Sequence, residues 1–212
     1  MRERTVAATW GKTRIEALSD GVFAIAVTLL VLDIRVPDLP THPPNAAAWH
    51  AVLSVVPTFI SFVITFVIAT SFWYAHHVTF HSLRWVTRSL MFQNAAFLLF
   101  VSLLPFSAGL LGKWGPNHPV ALTVYFVNLL ALGLTLNLIW WRATAHRLVE
   151  EPLPDPAMRF MIGMYPVACA AALAVVPFQA NASYYAFVAV ALVGRRFARR
   201  RYKRAGNAPA PL

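Results

Sequence analysis

Long runs of apolar residues separated by short polar segments dominate the chain. A helix needs roughly 20 apolar residues to cross the hydrocarbon core of a bilayer, and the chain offers six such stretches. They lie at about residues 14–35, 49–74, 89–111, 119–141, 158–177 and 182–197. The pattern predicts an all-α integral membrane protein: one six-helix domain over residues 1–205, then a short disordered tail over 206–212.

Composition supports a membrane protein. Of the 212 residues, 58% are apolar and 12% are charged, whereas an ordinary soluble domain carries about 25% charged residues. This leaves too little polar surface to cover a water-soluble globule, which excludes a soluble enzyme and a disordered protein. The single cysteine, Cys169, excludes an intramolecular disulfide.

The basic residues are distributed unevenly between the connections. Of the 18 Lys and Arg residues, 16 lie in the N-terminal segment, the second-to-third connection, the fourth-to-fifth connection and the C-terminal tail. The other three connections hold only Arg35 and Lys113. Because positive residues concentrate in cytoplasmic segments, the distribution predicts that both termini are cytoplasmic.

A dense basic cluster, RRFARRRYKRAG, follows the sixth predicted span directly. Such a cluster is typical of a membrane anchor that also contacts anionic lipid headgroups. This interpretation is favoured over nucleic-acid binding, so we expect lipid and no nucleic acid as a partner.

The first predicted span contains an ionisable residue, Asp20, which marks it as a candidate functional segment. At about 100° per residue, Asp20 lies on the face opposite a stripe of aliphatic residues and one Thr. The stripe comprises Leu18, Gly21, Ile25, Thr28, Leu29 and Leu32. Taken alone, such a stripe is more typical of a packing seam, and Asp20 is expected to pair with groups on a neighbouring helix.

The same span resembles a known signature. The sequence Arg14-x-x-x-Leu18-Ser19-Asp20-Gly21-Val22-Phe23-Ala24-Ile25, continued by Thr28-Leu29-Leu30, closely resembles the first helix of the endosomal/lysosomal potassium channel family, in its prokaryotic branch. A second element, Trp73-x-x-x-His77, resembles the family's motif in the second helix. The chain departs from the pattern at Leu18, where the family usually has Phe.

The resemblance implies a homotetrameric potassium channel in a bacterial plasma membrane, with four copies of the first helix around the pore. It assigns the pore lining to Ile25, Thr28 and Leu32, with Leu29 at the rim. Conventional potassium channels use a Thr-Val-Gly-Tyr-Gly filter, and this sequence lacks that motif. Selection of K+ over Na+ is therefore expected to be moderate, with K+ near the Thr28 ring as the permeant ion and no cofactor.

The resemblance also implies a structural or gating network. Its members would be Arg14, Ser19, Asp20, Trp73 and His77. We expect this network to hold the first helix against the second, because an unpaired carboxylate inside a membrane protein is costly.

The sequence disfavours two other functions, a secondary transporter and a membrane-embedded enzyme. An enzyme is disfavoured because the serines of the spans, Ser19, Ser54, Ser61 and Ser71, lack a convincing intramembrane base. A proton-coupled secondary transporter could use Asp20 as its protonatable site, but the sequence shows no inverted repeat. A metal site at His76, His77 and His81 has no nearby carboxylate or Cys, which favours a solvated or hydrogen-bonded cluster. At the outer end of the first span, Asp33 and Arg35 could form a mouth that attracts cations, but an interfacial ion pair between them is favoured.

Overall fold

The computed structural model describes residues 2–35, 37–115, 117–150 and 156–204. Within these ranges the chain is all-helical, and its only extended pairing is an isolated bridge between Leu83 and Val149. The helices are α1 (Arg2–Leu29), α2 (Asn45–Ser54), α3 (Val56–His81), α4 (Arg88–Ser102), α5 (Leu104–Trp114), α6 (Pro119–Ala145), α7 (Pro156–Val175) and α8 (Ala180–Arg204). A 3-10 turn, Leu30–Asp33, continues α1. The prediction of an all-α protein is confirmed.

Prolines set two of the helix boundaries. Pro57 lies in the first turn of α3 and Pro105 in the first turn of α5. A proline is tolerated there because the first N–H groups of a helix have no intrahelical partner. Each therefore divides one apolar stretch into two helices that follow each other directly.

Among the residues that the structure describes, four apolar stretches are long enough to cross a membrane. They are Gly11–Asp33, Asn45–His81, Arg88–Trp114 and Pro119–Ala145, and they correspond to the first four predicted spans. Helices α7 and α8 contribute the shorter apolar stretches Ile162–Val175 and Ala180–Gly194. The count of six spans thus stays a prediction, and the tail at 206–212 lies outside the described residues.

The core of the protomer forms around α6. This helix packs against α4, α5 and α7, while α7 and α8 form a closely packed pair. Large side chains of α6 such as Tyr125, Phe126 and Leu132 are fully buried. Helix α1 lies at the side of this core and contacts α3 and α4.

An asparagine compensates for a proline inside α7. Pro166 has no N–H to donate to the carbonyl of Ile162, four residues earlier. The Asn137 Nδ2 on α6 donates to that carbonyl at 2.9 Å, and also to the carbonyl of Gly133 at 2.7 Å. Gly133 leaves room for the proline ring, since a Cβ there would lie 3.0 Å from Pro166 Cγ and Cδ. The carbonyl that Pro166 leaves without a donor inside α7 is therefore satisfied by α6.

The connections with the basic residues meet at one end of the bundle. The Lys12 Nζ donates to the carbonyls of His81 (2.9 Å), the last residue of α3, and of Leu83 (2.7 Å), just beyond it. The backbone N–H of Arg84 donates to Leu148 O, and that of Glu150 donates to Ser82 O, both at 2.8 Å. Three of the four basic segments identified in the sequence thus share one end, as a common side of the membrane requires.

Candidate functional site

Helix α1 has a buried face formed by residues at helical spacing. Ser19, Phe23, Ala26 and Leu30 are all buried against the rest of the protomer. They recur every three or four residues, so they lie on one side of the helix. This face fixes α1 to α3 and α4.

The predicted pore stripe lies away from that face. The exposed fraction is 61% for Ile25, 43% for Leu29 and 68% for Leu32. Thr28 is exposed as well. The stripe does not belong to the buried core of its own chain. It can therefore face a pore, a second copy of the chain or lipid.

The hydroxyl of Thr28 has a defined orientation. Its Oγ1 donates to the backbone carbonyls of Ala24 and Ile25, at 2.9 Å each. A hydroxyl has one hydrogen and two acceptor lone pairs. Because the hydrogen is directed at the backbone, the side chain presents its oxygen as an acceptor.

A buried hydrogen-bond chain connects α1, α4 and α3. Ser19 Oγ donates to Ile15 O at 2.8 Å and accepts from Asn94 Nδ2 at 3.0 Å. The Asn94 Oδ1 is then left to accept from His76 Nε2, 2.7 Å away. The direction of each bond follows from the Ser19 hydrogen, so the chain assigns a proton to His76 Nε2.

His76 is enclosed by aromatic rings. It is 1% exposed and stacks on Phe80 and Phe97, with ring centroids 4.3 and 5.2 Å away. His77 and His81, by contrast, are exposed and stack on each other at 6.0 Å. The three histidines therefore do not converge, and the described part of the chain holds no group of three metal-ligating side chains.

A second, more exposed contact joins α1 to α3. The Trp73 Nε1 donates to Asp20 Oδ1 at 2.8 Å, and the Trp73 ring stacks on His77 at 5.8 Å. Within the described residues neither His77 nor Arg14 bonds to Asp20, and the exposed Arg14 has no hydrogen-bond or ion-pair partner. The structure thus brings Ser19, Asp20, Trp73 and His77 to one region and leaves Arg14 outside their contacts.

Sequence reasoning missed Asn94 as a member of this region. The signal was present as an amide inside an apolar stretch, Met-Phe-Gln-Asn-Ala-Ala, since a polar group at such a position needs partners. Asp33 and Arg35 interact electrostatically but do not form the expected ion pair among the described residues, and the Asp33 carboxylate packs against Gly109 of α5.

Comparison with known proteins agrees with this architecture. The model of the family described as endosomal/lysosomal potassium channel TMEM175 matches residues 14–105. A potassium channel of Streptomyces collinus is 36% identical over 151 residues, which cover 69% of this chain and 71% of that protein. The human endosomal/lysosomal proton channel TMEM175 is 35% identical over 99 residues, 44% of this chain and 20% of that protein.

A solved structure shares the fold. The crystal structure of a lysosomal potassium-selective channel TMEM175 homolog from Chamaesiphon minutus matches with a TM-score of 0.73 and 27% identity. The match covers 89% of this chain and 98% of that one. Both the signature on α1 and the arrangement of the helices are thus shared with relatives, and the chain is a multi-pass membrane protein that belongs to the TMEM175 family of ion channels.

Proposed function

We propose that the chain is a subunit of a homotetrameric cation channel that conducts K+ in preference to Na+, with α1 lining the pore. The observation that carries the proposal is the division of α1 into a buried face and the exposed Ile25–Thr28–Leu32 stripe. Relatives named potassium channels support the choice of ion. A closed ring of identical subunits would place four copies of the stripe around one axis.

In such a ring, the stripe forms successive layers. Ile25 and Leu32 make hydrophobic constrictions that close by dewetting. Between them lie four Thr28 oxygens whose hydrogens are directed at the backbone, which is the polarity that a cation requires. Dehydration costs less for K+ than for Na+, so a narrow ring with few oxygens favours K+ moderately.

The bonds between α1 and its neighbours position this pore helix. Ser19 is tied to α4 through Asn94, and Asp20 is tied to α3 through Trp73. Both lie near the basic end of the protomer, one to two turns before Ile25. In this proposal Arg14 and His77 complete the region as structural or gating residues, with Arg14 available to a neighbouring subunit because its own protomer leaves it exposed.

The membrane arrangement completes the proposal. Six spans, with α7 and α8 as the last two, place both termini in the cytoplasm of a bacterial cell. The basic C-terminal segment then contacts anionic lipid headgroups. No cofactor and no nucleic acid are required, and the permeant K+ binds transiently near Thr28.

A proton-coupled transporter is the less favoured function. Its protonatable group would be Asp20, but that carboxylate accepts a hydrogen bond from Trp73 and lies off the exposed stripe. A channel and a carrier differ in speed, so single-channel current steps separate them. The name of the human relative makes H+ permeation a second quantity to measure, by shifting the pH across the bilayer in K+-free solution.

The decisive experiment is recording from purified protein in planar bilayers. Wild type is expected to give single-channel steps with a K+/Na+ permeability ratio above one, and Thr28→Ala should move the ratio towards one because the oxygen ring is lost. Thr123→Ala is the matched control: Thr123 is also an exposed threonine that donates to its own helix backbone. An unchanged K+/Na+ permeability ratio in Thr28→Ala would show that Thr28 is not part of the filter. Absence of single-channel current steps in the wild type would refute the proposal of a channel.

A further inference from the structure

At the outer end of α1, a carboxylate lies in a recess on α5. The 3-10 turn brings Asp33 over Gly109, where an added Cβ would lie 2.8 Å from Asp33 Oδ2 and 3.0 Å from Cγ and Oδ1. Real Cβ atoms do not approach other atoms so closely, so the missing side chain makes room for the carboxylate. Asp33 keeps an exposed side, but its position is set by this packing.

Beside the carboxylate is a small cavity of about 10 Å3. It is lined by Leu30, Asp33, Thr58, Ser61, Phe62 and Ala108. A volume of this size holds one particle about as large as a water molecule. The polar side chains of the lining are the carboxylate and two hydroxyls, and the remainder is apolar.

The hydrogens of both hydroxyls already form hydrogen bonds to backbone carbonyls. Thr58 Oγ1 donates to Gly112 O at 3.3 Å, and Ser61 Oγ donates to Pro57 O at 3.1 Å. Each hydroxyl has one hydrogen, so towards the cavity these oxygens can only accept. An ionised carboxylate also only accepts. Arg35 acts on Asp33 electrostatically but forms no ion pair with it among the described residues, so it does not occupy the recess. A lining of acceptors without donors suits a cation.

We infer that this recess binds one monovalent alkali cation through Asp33, Thr58 and Ser61. Carboxylate and hydroxyl oxygens are the ligands of hard cations, and a single negative charge balances one positive charge. The role of the site depends on the proposed function: it lies beside the outer end of the α1 stripe, off the central axis. There it holds K+ close to the mouth of the pore and raises the local supply of the ion.

Binding is tested with Rb+, an analogue of K+ that scatters anomalously. Crystals of the wild type grown in RbCl are expected to show an anomalous peak between Asp33, Thr58 and Ser61. Asp33→Asn should abolish the peak, and Gly109→Ala should abolish it by displacing the carboxylate. Asp38→Asn, which removes a charge from the same connection, should retain it. No peak in wild type, or a peak with Mn2+ but not with Rb+, would overturn the inference.

Conductance tests the role of the site. At about 10 mM K+, where charges are screened weakly, Asp33→Asn should lower the single-channel conductance roughly two- to fivefold. The K+/Na+ permeability ratio should not change. The difference in conductance between Asp33→Asn and wild type should become smaller at high K+ concentration. An equal loss of conductance in Asp38→Asn would show that any nearby surface charge has the same effect, and it would overturn the proposed role of the Asp33 site. Wild-type currents without a Rb+ peak would refute this site alone, whereas absence of K+ current in wild type would refute the proposed function.

Discussion

At the scale of single residues, the exposed side chains of α1 carry the functional hypothesis. Ile25 and Leu32 are large apolar groups that their own protomer leaves uncovered, one on each side of Thr28. If these side chains faced lipid, their exposure would have no effect on ion passage. Around a pore, the same side chains would control whether water and ions can enter.

Ile25→Asn tests whether this residue forms a gate. The amide should wet the constriction, because a polar ring lowers the cost of filling a narrow apolar passage with water. Open probability is expected to rise several-fold in single-channel recordings. Ile25→Val, which keeps the ring apolar, is the control and should behave as wild type. If Ile25→Asn gates normally, the constriction lies elsewhere.

At the scale of helices, Pro166 and Asn137 form a pair that can be tested by mutation. Asn137→Leu leaves the carbonyl of Ile162 without a donor and should destabilise the protein by about 1–3 kcal/mol. Pro166→Ala restores the N–H that can bond this carbonyl within α7. The Asn137→Leu substitution should therefore lower the free energy of unfolding by less in the Pro166→Ala background than in the wild type.

The measurement is a double-mutant cycle of unfolding in detergent. Equal costs of Asn137→Leu in both backgrounds would show that the two residues do not interact. Ser102→Ala serves as a control for the loss of a single side-chain hydrogen bond, because Ser102 Oγ donates to the carbonyl of Leu98 in its own helix and makes no other bond to the described residues.

The sequence predicts helices better than the contacts between them. Apolar length locates the first four spans, and the missing N–H of Pro105 accounts for the break between α4 and α5. Periodicity separates Ile25, Thr28 and Leu32 from Asp20, and the structure places that stripe on an exposed surface.

The partners of the polar residues could not be predicted in the same way. The bonds of Ser19 and His76 to Asn94 span 75 and 18 residues along the chain, and they depend on how α1 and α3 dock against α4. Asp33 illustrates the same limit, since its neighbour Arg35 is obvious in the sequence whereas Gly109 becomes its contact only through the fold.

At the scale of the whole molecule, the proposed tetramer requires that α1 be held in a fixed orientation on its own subunit. The contact between Asp20 and Trp73 joins α1 to α3, on a different face of α1 from the exposed stripe. Asp20→Asn replaces the ionised acceptor with an amide and weakens the bond from Trp73, because hydrogen bonds to charged groups are stronger than neutral ones. The orientation of α1 should then become less well defined.

We expect Asp20→Asn to lower the tetramer fraction in size-exclusion chromatography with light scattering. The tetramers that remain should keep the wild-type K+/Na+ ratio, because the stripe itself is unchanged. Glu16→Gln, an acidic residue one turn earlier on α1, is the control for loss of charge and should assemble normally. Well-assembled tetramers with altered selectivity would place Asp20 in the conduction path instead.

The dependence of α7 on α6 also has a consequence for biosynthesis. A carbonyl without a hydrogen-bond donor is costly in hydrocarbon, so α7 would be less stable in the bilayer alone than beside α6. Asn137 precedes Pro166 in the chain, which means that the ribosome delivers the donor before the acceptor that needs it. In the six-span arrangement proposed above, translation order therefore suits the entry of α6 and α7 into the membrane as a hairpin, with a donor for the Ile162 carbonyl already present when α7 arrives.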